Sequence, residues 1–277
     1  DAGELSDAER LDAVLGMVRI VPNPYNIQNR KITFGTGGML DVCTDRGAPA
    51  GAHRSTAGTY PLPLWSRDGA ITWGVEGIML SAGTNVEWLR DDLGLIDTSE
   101  QSHDVAAACA DTGGVVYVPA LLGLGTPHWD YGARGTLLGL TRGTERPQVV
   151  RAVLEGVAQR GADLVDAAMA DTGLPIDTVR IDGGMSVNPT FVQALADATA
   201  QPIEVSPVTE STTIGAAFMA GLGAGVFGDM TDLDQLWQPA RVVEPRPHHD
   251  HAASRARWAD AVERAANWIP ELSALEF

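Results

Sequence analysis

The run Val179-Arg180-Ile181-Asp182-Gly183-Gly184-Met185-Ser186-Val187-Asn188-Pro189 decides how the rest of this chain is read. Val179 to Asp182 is apolar-rich and short, as a buried strand is. Two glycines follow, and Asn188-Pro189 supplies an N-cap and a first helical residue. Backbone without side chains at a strand-to-helix turn can lie flat against a ligand. The helix start adds unpaired N–H groups and the positive end of a dipole. The segment is a candidate nucleotide cradle, with Gly183 and Gly184 approaching the ligand and the Asn188 amide recognising it. A tight turn with a plain helix cap fits the same residues, and spacing alone does not choose between them.

A second glycine turn, Thr33-Phe34-Gly35-Thr36-Gly37-Gly38, stands far upstream. Residues 31–34 and 39–44 flank it as two strands of a hairpin. Successive N–H groups in such a turn can form an anion nest, to which the Thr36 hydroxyl adds a donor. An ordinary hairpin turn is the other reading. Gly83 and Glu87 lie four apart in a helix expected over residues 76–93, where Ile78, Ala82, Val86 and Leu89 share a face and Gly94 marks the end. Glycine inside a helix costs about 1 kcal/mol against alanine. A close approach by a ligand or a neighbouring helix is therefore expected at Gly83.

Outward from these motifs, further strands are expected at residues 71–75, 115–119, 136–140 and 203–206. Helices are expected from Pro147 up to Gly173, from Pro189 to before Pro202, over 211–222 and over 254–268. A short helix is expected at 5–17, within a leader or linker covering residues 1–30. The loop at 46–58 and the Gly/Pro/aromatic loop at 123–132 break the pattern, and long loops of the second kind often carry function. Strands come first in hairpins and then alternate with helices, so the fold class is α/β: a mixed sheet flanked by helices.

Bulk properties narrow the partners. The 277 residues are 44% hydrophobic with a formal net charge of −17, a globular balance that repels nucleic acid and anionic membranes. A bound phosphate must then be held by local backbone dipoles and a metal ion rather than by the global field. Cys43 and Cys109 have no metal or redox spacing and are expected to be small buried hydrophobes in a reducing, cytoplasmic setting. No stretch has the length or apolarity of a membrane span. His248, His249 and His251 sit beside Pro245 and Pro247 in a polar segment, which suits an exposed linker better than a metal site.

Five ordered blocks resemble the FGGY carbohydrate kinases, most of all their glycerol kinase branch, from about residue 31 to 268. They are Thr33-Phe34-Gly35-Thr36-Gly37; Val75-Glu76-Gly77 through Ala82-Gly83 to Glu87-Trp88-Leu89-Arg90-Asp91; Ala133-Arg134-Gly135; Val179 to Asn188; and Thr209-Glu210-Ser211-Thr212-Thr213-Ile214-Gly215-Ala216-Ala217. Gly135-Thr136-Leu137-Leu138-Gly139-Leu140, then Gln148-Val149 and Ala152-Val153-Leu154-Glu155, is similar to the second signature of that family.

The resemblance implies an actin-like ATPase fold, in which two ribonuclease-H-like lobes close over ATP and substrate. This chain corresponds to the second, C-terminal lobe, over residues 31–268 with 269–277 as a tail. Gly35, Thr36 and Gly37 correspond to its phosphate loop. Thr36, Gly83, Gly184 and Asn188 match nucleotide-binding positions, with Gly183 beside them. Glu87 falls where glycerol kinases usually have Gln, and Met39 takes a position that is often Phe near the polyol.

The implied reaction moves the γ-phosphoryl group of ATP, with Mg²⁺, to a polyol such as glycerol. The family's catalytic Asp lies in a Gly-Asp-Gln block shortly before the glycine turn. Residues 1–30 hold no such block, and Asp7 and Asp12 do not match it, so no catalytic residue and no metal ligand is assigned. The first lobe is an expected partner, and its exposed interface leaves self-association into a homo-oligomer open. A kinase of the xylulose type, suggested by Thr126-Pro127-His128-Trp129-Asp130, and a non-catalytic domain derived from a kinase are the alternatives.

Overall fold

The computed structural model describes residues 30–44, 53–67, 69–209, 211–234 and 236–275. The helix expected at 5–17 lies outside them, as does much of the loop expected at 46–58. Strands β1 (Arg30–Phe34) and β2 (Gly38–Cys43) form the expected antiparallel hairpin, with Phe34 opposite Gly38. β3 (Tyr60–Arg67) and β4 (Ala70–Met79) extend it on the β2 side, also antiparallel. On the other side, β1 pairs in parallel with β7 (Val179–Asp182), and β7 with β8 (Ile203–Val205). β9 (Arg241–Val243) closes this edge antiparallel, giving the order β3-β4-β2-β1-β7-β8-β9. A separate two-stranded sheet pairs β5 (Val116–Val118) with β6 (Thr136–Leu138). The mixed sheet is thus the one expected from the sequence.

Alternation along the central strands puts Ile32, Phe34, Leu40, Val42, Val179 and Ile181 in the core. They meet Val153, Leu154, Val157 and Leu164 of α3 (Arg146–Thr172), and Phe191, Val192 and Leu195 of α4 (Pro189–Thr199). Each such side chain stabilises the fold by about 1.5–3 kcal/mol when fully buried. Phe34 and Phe191 meet edge-to-face at 4.8 Å, so the strand entering the glycine hairpin is locked to the helix that follows the second glycine pair. α3 begins with a capping box between Glu145 and Gln148 and ends at Gly173, whose φ of 68° suits only glycine well.

The opposite face of the sheet carries charge. Lys31 of β1 stands beside Asp41 of β2, and Asp41 beside Glu76 of β4. Lys31 also makes a buried ion pair with Asp182 at the end of β7. Burial pulls the Lys31 ammonium below its ordinary value. Burial, reinforced by Glu76, pushes the Asp41 carboxyl up to about 7.

One expected element is corrected. The helix read over 76–93 is strand as far as Met79, because Glu76, Gly77, Ile78 and Met79 pair with Asp41, Leu40, Met39 and Gly38. Only Thr84–Glu87 (α1) is α-helical, and it runs on into a π-helical turn at Trp88–Asp92. Pairing with β2 outweighs the helical spacing of Ile78, Ala82, Val86 and Leu89. Cys109 is only half-buried, while Cys43 is buried as expected.

Three aspartates tie the long loops to this frame. Asp163 of α3 accepts from Arg160 at 2.6 Å, Arg255 at 2.7 Å and Trp258 Nε1 at 3.0 Å. Arg160, fully buried, also donates to the Thr126 carbonyl at 2.6 Å. Asp171 near the end of α3 takes the N–H groups of Ala57 and Thr59 and the hydroxyls of Ser55 and Thr59. Asp130 takes Gly132 N–H, Ala133 N–H, Asn267 N–H and the Ser273 hydroxyl. The loop at 123–132 is accordingly a docked structural knot, with Trp129 Nε1 donating 2.7 Å to the Gly58 carbonyl.

Candidate nucleotide site

The two glycine turns, about 150 positions apart in sequence, become neighbours because β1 and β7 are adjacent parallel strands whose ends point the same way. Between them opens a cavity of about 530 Å³. Gly35, Thr36, Gly83, Glu87, Gly184 and Asn188 all line it, so six of the residues singled out from the sequence meet at one wall or another. Gly37, Gly183 and Met39 are not among its lining residues.

Each of those three has a different job. A Cβ on Gly183 would lie 2.3 Å from the Phe34 carbonyl oxygen, and its φ is +84°. Gly183 thus lets β7 turn tightly over the end of β1. A Cβ on Gly37 would lie 2.9 Å from the Met79 carbonyl oxygen, so this glycine admits the end of β4. Met39 points to the sheet face opposite Leu40, and is partly exposed there.

The hairpin turn is anchored by its carbonyls. Ala82 N–H donates to the Thr36 oxygen at 2.8 Å and Gly83 N–H to the Gly35 oxygen at 2.9 Å. Among the described residues, no N–H of Gly35, Thr36 or Gly37 donates to a backbone carbonyl. That leaves donors for an anion, the chemistry of a nest. Gly83 is the N-cap of α1, not a mid-helix residue. The hairpin turn makes a close approach there: a Cβ would sit 2.5 Å from the Gly35 oxygen.

Across the cavity, a 3₁₀ turn at Gly184–Val187 separates the glycine pair from α4. Among the described residues, nothing lies within 4 Å of a Cβ built on Gly184, so they leave that space open. The Asn188 side chain caps α4 by accepting from Phe191 N–H at 3.1 Å. Its amide nitrogen donates 2.9 Å to the Ser102 hydroxyl. Cap and site coexist: one amide hydrogen remains for a ligand.

Sequence reasoning missed the third wall. It is built from Ser99, Glu100, Ser102, His103 and Asp104, on and just before α2 (Gln101–Ala107). No motif or spacing marks this short helix, which gains its place by packing on α3 and α4. His103 Nδ1 lies 2.8 Å from the Thr190 hydroxyl of α4, a second bridge beside Asn188–Ser102. Its own backbone N–H and the Thr98 hydroxyl hold the Glu100 carboxyl below its ordinary range. Among the described residues, no Lys or Arg lines the cavity. The backbone N–H groups of the hairpin turn are donors this cavity offers an anionic ligand, in keeping with the net charge, which also calls for a metal ion.

The C-terminal domain model of the FGGY family of carbohydrate kinases matches residues 31–224. The chain belongs to this family. Among its relatives, the glycerol kinase of Dechloromonas aromatica is 42% identical over 86% of this chain and 47% of its own length. That of Rhodopirellula baltica is 41% identical over 87% and 44%. The chain thus spans about half the length of the curated relatives it matches. The crystal structure of Plasmodium falciparum glycerol kinase with ADP superposes with a TM-score of 0.77 at 30% identity, covering 96% of this chain and 51% of that one. A xylulose kinase from Rhodospirillum rubrum shares the FGGY fold at a TM-score of 0.70 and 21% identity. Among the described residues, no helix is long and apolar enough to cross a membrane.

Proposed function

We propose that residues 31–268 form the C-terminal, nucleotide-holding lobe of an ATP-dependent glycerol kinase, with Mg²⁺, working in the cytoplasm together with a first lobe. The observation that carries this reading is the meeting of Gly35, Thr36, Gly83, Gly184 and Asn188 around one cavity in a domain of this family. The names of the relatives favour glycerol over a ketose. When bound, ATP with Mg²⁺ supplies the γ-phosphoryl group and offsets its charge.

The residues present fit the nucleotide. The space over Gly184 accepts a flat group, and the N–H groups at Gly35, Thr36 and Gly37, which donate to no backbone carbonyl among the described residues, suit a phosphate. Gly184 and Asn188 hold the nucleoside side, and the hairpin turn holds the phosphates. Among the described residues no group of three His, Cys, Asp or Glu side chains is arranged to hold a metal. Mg²⁺ therefore fits this lobe as a partner of the phosphates, and no residue here is assigned to it. Met39 stands near the polyol, and proton transfer from the polyol needs a base that these residues do not supply.

Calorimetric titration of the 277-residue chain with ATP and Mg²⁺ tests the reading. Binding that is lost in Gly184→Val supports it, and absence of any ATP binding to the wild type overturns it.

A further inference from the structure

Asn85 is fully buried in α1. That helix is only four residues long, and its N-cap, Gly83, brings no side-chain cap. So short a helix does not hold itself in place. Asn85 supplies bonds that do. Its amide nitrogen donates to the Ser81 and Ala82 carbonyls at 3.1 and 2.9 Å, and meets the Ser81 hydroxyl at 3.1 Å. Carbonyls only accept, so the orientation of the amide is fixed and Oδ1 faces the Tyr117 hydroxyl, which donates to it at 2.9 Å from β5. Tyr117 belongs to the main core, and its ring stacks on Trp88 at 5.7 Å. A buried amide bonded at both ends specifies one geometry for the segment it holds.

That segment is the one that grips the glycine hairpin. Ala82 N–H takes the Thr36 carbonyl and Gly83 N–H the Gly35 carbonyl. The Thr84 hydroxyl, bonded to that of Ser81, donates 3.3 Å to the same Thr36 oxygen. A trans peptide is planar, with its C=O and N–H pointing opposite ways. Tying down the Gly35 oxygen therefore sets the direction of the Thr36 N–H, and tying down the Thr36 oxygen sets that of the Gly37 N–H. Ser81, Asn85 and Tyr117 are not among the residues that line the cavity, so they reach a ligand only through the turn.

We propose that Asn85, locked by Tyr117, is a positioning residue: it fixes residues 81–83, and through them aims the N–H groups of the hairpin turn at the phosphates of the nucleotide. The inference rests on the nucleotide reading of the same cavity and names what sets the geometry of its phosphate end. The nucleoside end, at Gly184 and Asn188, is unaffected by it.

Titration calorimetry of the 277-residue chain with ATP and with adenosine, each with Mg²⁺, tests this. The wild type is expected to bind ATP more tightly than adenosine. Asn85→Ala is expected to cut that ratio about fivefold to tenfold, the loss of roughly one hydrogen bond. Adenosine affinity is expected to stay unchanged, which a general loss of structure would not allow. Tyr117→Phe removes only the hydroxyl that locks Asn85. It is expected to lower the ratio in the same sense by a smaller factor, and it decides the matter should Asn85→Ala fold poorly. An ATP-to-adenosine ratio that is the same in all three proteins overturns the role of Asn85 while leaving the nucleotide reading intact. A wild type that binds adenosine as tightly as ATP overturns it as well, since the turn would then hold no phosphate. If the wild type binds no ATP, both readings fail together.

Discussion

Gly183 and Gly184 are chemically identical neighbours that the fold needs for opposite reasons. Gly183 has a positive φ and a backbone carbonyl where its Cβ would go; Gly184 has neither. Gly183→Ala is therefore expected to destabilise the chain by roughly 2–4 kcal/mol through strain and overpacking, read as a lower midpoint in urea. Gly184→Val is expected to leave the midpoint within about 0.5 kcal/mol, since a surface change away from such constraints costs little. It is expected to weaken ATP binding at least tenfold by filling the cavity. The reverse pattern would show that the two glycines have exchanged roles.

Asp41 makes a pH prediction at the same scale. Its carboxyl titrates near 7 in the folded chain against an ordinary value of 3.8, so folding takes up a proton between these values. Stability is expected to fall as pH rises from about 4 to about 7 and then to level off. Glu76, also raised by burial, acts in the same direction. Asp41→Asn is expected to flatten the slope and to be the more stable protein at pH 8, on the order of 2–4 kcal/mol. Thermal melts across pH 4–8 decide this, and a slope unchanged in the variant would sink it. Asp163 works the other way. His128, whose Nε2 stands 3.8 Å away, and the Arg160 and Arg255 partners hold its carboxyl well below the ordinary value, despite burial. Its contribution is lost only as pH falls below about 4.

Among the elements, α3 is the spine. One face closes the sheet core, and Asp163 and Asp171 on other parts of it hold the loops at 123–132 and 55–59. Removing Asp163 leaves Arg160 buried without its carboxylate. Asp163→Ala is expected to cost about 3–5 kcal/mol, seen as a large drop in the urea midpoint together with faster amide exchange at Thr126–Trp129. Exchange that stays slow there would mean that the loop is held by other contacts.

Elements with strong local signals were legible from the sequence: the β1–β2 hairpin from its glycines, α3 from Pro147 and Gly173, α4 from Asn188-Pro189. β3 carries Pro61 and Pro63, which argue against a central strand, and it takes the edge position that tolerates them. The end of β4 was hidden because Ile78 and Val86 mimic one helix face while belonging to different elements. The α2 wall carried no signal at all. It is seven residues long, and its place comes from packing against α3 and α4.

For the whole molecule, the chain matches about half of each relative, and the candidate site holds positioning groups without an assigned base. The purified chain is expected to bind ATP yet to produce no ADP from ATP, Mg²⁺ and glycerol in a coupled assay. Glycerol-dependent turnover would show that this lobe carries the chemistry itself.

The sequence by itself determined the family, the two glycine turns and the helix cap, because these depend on residues adjacent in the chain. A turn, a cap or a strand of alternating apolar residues is a local balance of sterics and hydrogen bonds. Only the tertiary structure decided which glycine faces the cavity, that Gly83 is shaped by the hairpin turn, and that α2 supplies a third wall with His103. These are matters of which backbone lies against which. They are settled by the parallel pairing of β1 with β7 and by the packing of α2, α3 and α4 over them, contacts between segments far apart in the chain that no local pattern records.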